Sequence, residues 1–207
     1  MGQLNGSEIL AKALKREGVE ELFFLMGGPM LTAEAATIQE GIRCIDVRHE
    51  QAAAMMAQAY SRLRQKPGFC MAASGPATIN LSTGLANALI DCCPVVALGG
   101  ASPMLGNGKQ VFQEIDQMEI MSGCVKYAAR IYDARRIPEM LNVAIQKAMS
   151  GKPGPVYLDL PGDTLYQMVD EDAIDWSQSG RAILNARPPA PEEQIAELVA
   201  ALAKAER

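Results

Sequence analysis

The chain has 207 residues, 49% hydrophobic and 21% charged, with a formal net charge of −5. That is the composition of an ordinary soluble globular protein with room for one sizeable core and part of a second unit, and its negative balance excludes an extended phosphate backbone as partner. No apolar stretch approaches the length of a membrane span and the N-terminus lacks a secretory pattern, so cytoplasm is the expected compartment.

Ser7 is placed as the cap of a first helix in which Ile9, Leu10, Ala13 and Leu14 follow helical spacing and Gly18 ends the run. A short strand over 21–25 comes next, then the turn Gly27-Gly28-Pro29 and a helix to about residue 40. A strand over 42–47 leads into a helix over 50–64, which Pro67-Gly68 breaks before a strand over 69–73. Ser74-Gly75-Pro76 turns into a helix through residue 90, and Pro94 opens a strand over 95–98. A long loop over 99–116 precedes a strand near 125–131, a helix over 137–149 and a last strand over 156–160. Alternating strands and helices with short turns predict an α/β fold, a mainly parallel sheet covered by helices on both faces.

Residues 1–163 are taken as the first domain. From 164 to 191 an acidic stretch around Trp176 and the prolines Pro188, Pro189 and Pro191 predict a linker. Beyond it, over 192–207, Ile195, Leu198, Val199 and Leu202 make one apolar helix face, expected to be the first helix of a truncated central domain. The five cysteines (Cys44, Cys70, Cys92, Cys93 and Cys124) include no C-x-x-C pair. With one histidine in the chain they are expected to be buried free thiols, and no metal site is predicted. Met26 and Met30 flank a glycine turn and are weak candidates for a pocket lining.

In a parallel sheet the loops at 27–29, 48–50, 74–77 and 99–102 all follow carboxyl ends of strands, where ligand crevices lie. Three of them are glycine-rich, which allows close approach of a ligand. Glu50, in Arg48-His49-Glu50-Gln51-Ala52-Ala53, stands where a strand gives way to a helix. From position alone it fits either a ligand-facing carboxylate or a favourable charge in a first helical turn. No G-x-G-x-x-G, P-loop or nucleophile elbow is present, and Asp163 is expected to have a structural capping role.

The segments Arg48-His49-Glu50-Gln51-Ala52-Ala53 and Ser74-Gly75-Pro76-Ala77-Thr78-Ile79-Asn80 resemble the N-terminal, pyrimidine-binding domain of thiamine-diphosphate enzymes. Phe112-Gln113-Glu114-Ile115-Asp116-Gln117 and the stretch from Gly151 to Pro161, with Val156-Tyr157-Leu158-Asp159-Leu160, extend the resemblance in order and spacing. The group is that of acetolactate synthase, oxalyl-CoA decarboxylase and 2-hydroxyacyl-CoA lyase. The resemblance implies the thiamine-diphosphate-binding fold and a catalytic Glu50 that exchanges a proton with N1′ of the cofactor's pyrimidine. That exchange favours the imino form able to deprotonate thiazolium C2. It also implies that Gly27, Pro76 and Asn80 bind cofactor beside Glu50, and that Phe112 and Gln113 face substrate across a subunit boundary.

Ala77 stands where the family commonly has glycine, and Phe112 and Gln113 replace the tyrosine and glutamate of oxalyl-CoA decarboxylases. The implied function is therefore a C–C lyase or carboligase of 2-oxo acids, acetolactate-synthase-like, with 2-hydroxyacyl-CoA lyase or oxalyl-CoA decarboxylase as alternatives. A non-catalytic pairing module of a split thiamine enzyme is the alternative from another class. The family's Gly-Asp-Gly site for diphosphate and Mg²⁺ has no match, since Gly162-Asp163-Thr164 lacks the second glycine. Magnesium is then expected on a separate diphosphate-binding domain, the isolated chain is expected to be inactive, and a homo-oligomer, dimer or tetramer, is implied. Whether FAD binds in a middle domain stays open.

Overall fold

The computed structural model describes residues 2–177, 179–182 and 189–206. The chain opens with the short strand β1 (Gln3–Asn5) and helix α1 (Gly6–Arg16), then β2 (Glu21–Leu25), α2 (Leu31–Gln39), β3 (Arg43–Asp46) and α3 (Glu50–Arg64). Strand β4 (Gly68–Ser74) leads to two short helices, α4 (Pro76–Asn80) and α5 (Ser82–Ile90), and then to β5 (Val95–Ala101). The rest comprises α6 (Gln117–Ser122), β6 (Tyr127–Arg130), α7 (Ile137–Met149), β7 (Val156–Pro161), α8 (Gly162–Tyr166), β8 (Met168–Asp170) and α9 (Glu192–Lys204).

Six strands form one parallel sheet in the order β3-β2-β4-β5-β7-β6. Its inner strands β4, β5 and β7 are buried throughout, with side chains alternating between the two faces as the pleat requires. Phe69 and Met71 of β4, Val96 and Leu98 of β5, and Val156 and Leu158 of β7 join one core with Leu10 and Leu14 of α1 and Leu141 and Ile145 of α7. The intervening Cys70, Ala72, Val95, Ala97 and Tyr157 join a second core with Ala53 and Ala57 of α3 and Leu85 of α5. A fully buried leucine is worth about 2 kcal/mol in apolar area alone, so these two layers are the main favourable term.

The sheet order sets the site. From β2 the chain departs towards β3 on one side, whereas from β4 it departs towards β5 on the other. The crevice between the carboxyl ends of β2 and β4 is therefore the topological switch point, where open α/β sheets bind ligands. The α/β class and parallel sheet agree with the sequence reading, and the helix predicted over 50–64 is α3 itself.

Several local expectations are corrected. The first helix is capped by Asn5, whose side chain accepts from the Glu8 N–H while Glu8 reaches back to the Asn5 N–H. Ser7 instead sits fully buried, with its Oγ 2.7 Å from Thr32 Oγ1. Strand β5 runs through Gly99 and Gly100 into Ala101, where a loop was expected. Glycine is required at 99 because a Cβ would lie 2.6 Å from the Tyr157 ring and hydroxyl and 2.8 Å from Thr78 Oγ1. The helix expected from the turn at 74–76 through residue 90 is two helices meeting at Leu81. Met30 is a core residue, 2% exposed, rather than pocket lining.

The packing of the first domain runs past residue 163. Leu165, Val169, Ile174 and Ala182 are buried in the core with α1 and α7, and β8 pairs antiparallel with β1 in a separate two-stranded ribbon. Arg16 stacks over Trp176, its guanidinium 4.3 Å from the ring centroid. Pro188, with the rest of 183–188, lies outside the described residues, as does Arg207. Every described residue of α9 is exposed, its Ile195, Leu198, Val199 and Leu202 included. Among the described residues no helix is long and apolar enough to cross a membrane.

Candidate functional site

Glu50 is the first residue of α3, directly after the turn that leaves β3. His49 caps the helix, its Nδ1 accepting from the Gln51 N–H at 3.1 Å, so Glu50 lies in the positively polarised first turn. The carboxylate is only 7% exposed. Asn80, the last residue of α4, donates from Nδ2 to Glu50 Oε2 at 2.9 Å. Among the described residues no protein donor engages Oε1. One oxygen is thus fixed and the other is left to accept from, or share a proton with, a ligand.

The turn after β4 is built by a local irregularity. The pairing of β4 with β5 shifts register between Ala72 and Ser74, leaving Ala73 as the extra residue, and Thr78 Oγ1 satisfies its carbonyl at 2.6 Å. Gly75 then takes φ +60°, ψ −118°, a region essentially reserved for glycine. A Cβ there would also lie 2.3 Å from the Gln113 carbonyl oxygen. Pro76 starts α4 and is exposed, as its missing N–H permits at that position.

The segment after β5 folds back onto this turn. Ser74 Oγ donates to Gln113 Oε1 at 2.6 Å, and the Gly75 N–H donates to Gln117 Oε1 at 2.8 Å. Gly28, on the turn after β2, approaches both Ser74 and Gln113. These residues, with Pro29, Ser102, Val111 and Phe112, line an apolar crevice of about 360 Å³ at the switch point. Phe112 stands at its rim, 84% exposed. A more polar cleft of about 580 Å³ shares Ser102, Val111 and Gln113 and reaches Arg130.

Of the residues expected at the site, Glu50 and Asn80 are brought into contact, and Phe112 and Gln113 line the crevice. Gly27 ends the extended segment after β2 and faces Ala73, at the same sheet edge. Glu50 does not line the crevice around Gly28. Asp163 has the structural capping role expected of it, though from a distance: its Oδ2 accepts at 2.8 Å from the N–H of Met104, the first residue of a short 3-10 turn in the loop after β5.

Behind the site lies a polar network that sequence reasoning did not single out. Asp159 of β7 is fully buried. Its Oδ2 accepts from Arg130 Nε at 2.5 Å, and its Oδ1 from the Tyr157 hydroxyl at 2.5 Å. Gln117 Nε2 lies within hydrogen-bonding distance of Asp159 Oδ1, the Tyr157 hydroxyl and the Gly100 carbonyl. Burial first, and the Asp159 charge second, push the Tyr157 phenol well above its ordinary range, so it stays protonated as a donor. One signal was present in the sequence: an aspartate inside an otherwise apolar strand, which demands partners.

The family model described as "Thiamine pyrophosphate enzyme, N-terminal TPP binding domain" matches residues 4–120. Acetolactate synthase 2, chloroplastic, of Nicotiana tabacum is 37% identical over 95% of the chain and 30% of its own length. The acetolactate synthase isozyme 2 large subunit of Escherichia coli is 37% identical over 84% of the chain and 31% of its length. The 2-hydroxyacyl-CoA lyase 2 of Caenorhabditis elegans is 40% identical over 78% of the chain and 25% of its length. The chain therefore spans less than a third of these relatives.

Proposed function

Since the chain belongs to the thiamine pyrophosphate enzyme N-terminal domain family, we propose that it holds the pyrimidine half of thiamine diphosphate in a C–C lyase or carboligase acting on 2-oxo acids. The observation that carries this reading is Glu50: a nearly buried carboxylate with one oxygen held by Asn80 and no protein donor on the other among the described residues. That donor set fits the cofactor, because a ring nitrogen that gains a proton needs a shielded carboxylate partner fixed in direction. When bound, thiamine diphosphate supplies the nucleophilic carbon and the electron sink for C–C chemistry.

The roles proposed for this chain's residues are those the family resemblance implies, and their placement at one sheet edge supports them. Glu50 holds and moves a proton at pyrimidine N1′. Asn80 fixes the carboxylate's rotation. Gly27 and Pro76 flank the ring from the turns after β2 and β4, and Phe112 and Gln113 offer an apolar rim and an amide to substrate. The similarity to proteins named acetolactate synthase supports an acetolactate-synthase-like carboligase. The 40% identity to a protein named 2-hydroxyacyl-CoA lyase favours that lyase as the second reading. A purely non-catalytic pairing module would have no use for a shielded carboxylate with one uncommitted oxygen.

Residues 1–163 are proposed as the pyrimidine domain's main body, 164–191 as the connection, and 192–207 as the start of a central domain in which FAD binding stays open. Magnesium and diphosphate are assigned to a separate domain that packs on the Glu50 edge within a cytoplasmic homo-oligomer. Exposed Met26, Leu31 and Phe112 near that edge supply apolar area for the contact.

The test is hydrogen–deuterium exchange at cofactor C2, read by NMR after acid quench, with the chain assembled with its diphosphate-binding domain. Glu50→Gln retains the hydrogen bond to Asn80 but cannot share a proton, and exchange is expected to slow by about 10²–10⁴-fold. Wild-type exchange in this variant would reduce Glu50 to a charge at a helix start. The chain alone is expected to bind the cofactor weakly and to turn over no 2-oxo acid; robust turnover without a partner would refute the half-site assignment.

A further inference from the structure

We propose that Gln117 is a positioning residue that governs proton exchange at Glu50 by fixing the segment from Gly75 to Asn80, an inference that rests on the reading of Glu50 above. Gln117 is 2% exposed and starts α6. Among the described residues it is the side chain that accepts from the Gly75 N–H of the turn after β4 while reaching Gly100 of β5 and Tyr157 and Asp159 of β7; Thr78 Oγ1 makes companion contacts to the Ala73 and Gly100 carbonyls. The Gln117 amide can point only one way. The opposite flip would set an NH₂ against the Gly75 N–H and an oxygen against the Asp159 carboxylate.

A short connection carries this constraint to the site. Helix α4 has five residues, too few to hold its own geometry without outside anchors. Its first anchor is the Gly75 N–H, buried and satisfied by Gln117. Its far end is Asn80, whose amide makes the hydrogen bond to Glu50. Removing Gln117 orphans a buried N–H at one end of this lever and leaves Thr78, through its contacts with the Ala73 and Gly100 carbonyls, as the remaining side-chain anchor, so that the Asn80 end loosens. A displacement of about 1 Å at a reacting group is enough to cost on the order of 10²-fold in rate.

A role in folding alone would lower stability without touching proton exchange, so two variants are compared with wild type in the assembled enzyme with thiamine diphosphate. Gln117→Leu is expected to slow C2 exchange by about ten- to hundredfold. Gln117→Glu keeps the shape, and its protonated form can both accept from Gly75 and donate towards Asp159. The groups facing that position are Asp159 and Tyr157 from β7, with Arg130 of β6 behind Asp159; Asp116 and Glu119 beside it point to solvent. Burial and the Asp159 charge raise the pKa of the introduced carboxyl. Its defect relative to wild type at the same pH is therefore expected to shrink as pH falls from about 8 to about 5.5, whereas the Leu variant's defect stays constant.

A second readout needs no cofactor. In the 207-residue chain, the Gly75 amide should exchange with solvent at least about tenfold faster in Gln117→Leu than in wild type, with the central strands unaffected. Wild-type C2 exchange in both Gln117 variants, with Glu50→Gln slow, would overturn this proposal and leave the role of Glu50 standing. So would equal, pH-independent defects in the two variants. Wild-type exchange in Glu50→Gln would overturn both.

Discussion

Glu50 and Asp159 are both carboxylates held inside one domain, yet they are held in opposite ways. Asp159 sits fully buried on β7, between β5 and β6, with both oxygens engaged by Arg130, Tyr157 and Gln117. Glu50 sits at the carboxyl edge with one amide contact and one uncommitted oxygen among the described residues. A buried charge whose lone pairs are all spoken for is part of the frame, and it cannot exchange a proton without leaving its partners stranded. A shielded charge with a spare acceptor is available for chemistry. The difference separates a carboxylate committed to the frame from one with an oxygen left for a ligand.

Removing the frame should cost most. Asp159→Ala leaves the Arg130, Tyr157 and Gln117 groups without their shared acceptor and is expected to destabilise the chain by about 3 kcal/mol in urea unfolding. A loss below about 1 kcal/mol would show that the network is dispensable. Gly75→Ala comes next, at about 2 kcal/mol, because both its φ and the Gln113 carbonyl exclude a Cβ. The control is Gly18→Ala, whose φ is also positive but whose Cβ would meet nothing within 4 Å, expected at about 1 kcal/mol or less.

A smaller effect is expected at Asp133, outside both regions. The Arg135 side chain holds this carboxyl well below its usual range, at about 2. Its folded pKa lies below the unfolded value, so its stabilisation is present above about pH 4 and is lost as pH falls towards about 2. Asp133→Asn should cost about 0.5 kcal/mol at pH 6, as partly exposed ion pairs do, and nothing once wild type is protonated too. A difference that persisted at pH 2 would assign the effect to packing. Least of all should Glu50→Gln change stability: within about 0.5 kcal/mol, since the Asn80 contact survives. A larger loss would place Glu50 in the frame with Asp159.

Much of this was legible in the residues because the central strands are buried on both faces and so appear as unbroken apolar runs. Helix α3 was legible to the residue because Glu50 opens a small-residue run and Pro67-Gly68 breaks the helix soon after its end. What the pattern hid was non-local. The pairing of Gln3 with Asp170 joins three-residue strands that have no periodicity to detect. Gly99-Gly100 looks like a break in sequence but is strand, since what excludes side chains there arrives from elsewhere in the chain: the Tyr157 ring at 99, and Met30 with Pro29 at 100. At the candidate site, the motifs pointed to Glu50 and Asn80, which the fold brings into contact, and to Phe112 and Gln113, which line the crevice. The partners of Gln117 could not be anticipated, because they are contributed by β5 and β7 across the sheet.

The place of β7 has a consequence for how the chain is made. Among the described residues strand β6 bonds only to β7, and β7 fills the gap between β6 and β5. On a ribosome, β5 therefore presents a bare edge of Val95 to Ala101 while residues 102–155 are being synthesised, and β6 has no neighbour to join. Neither Asp159 nor its grip on Gln117 exists during that interval. The nascent domain thus carries an open apolar template until residues 156–161 emerge, the moment at which it is most exposed to mispairing with another copy and most in need of a chaperone.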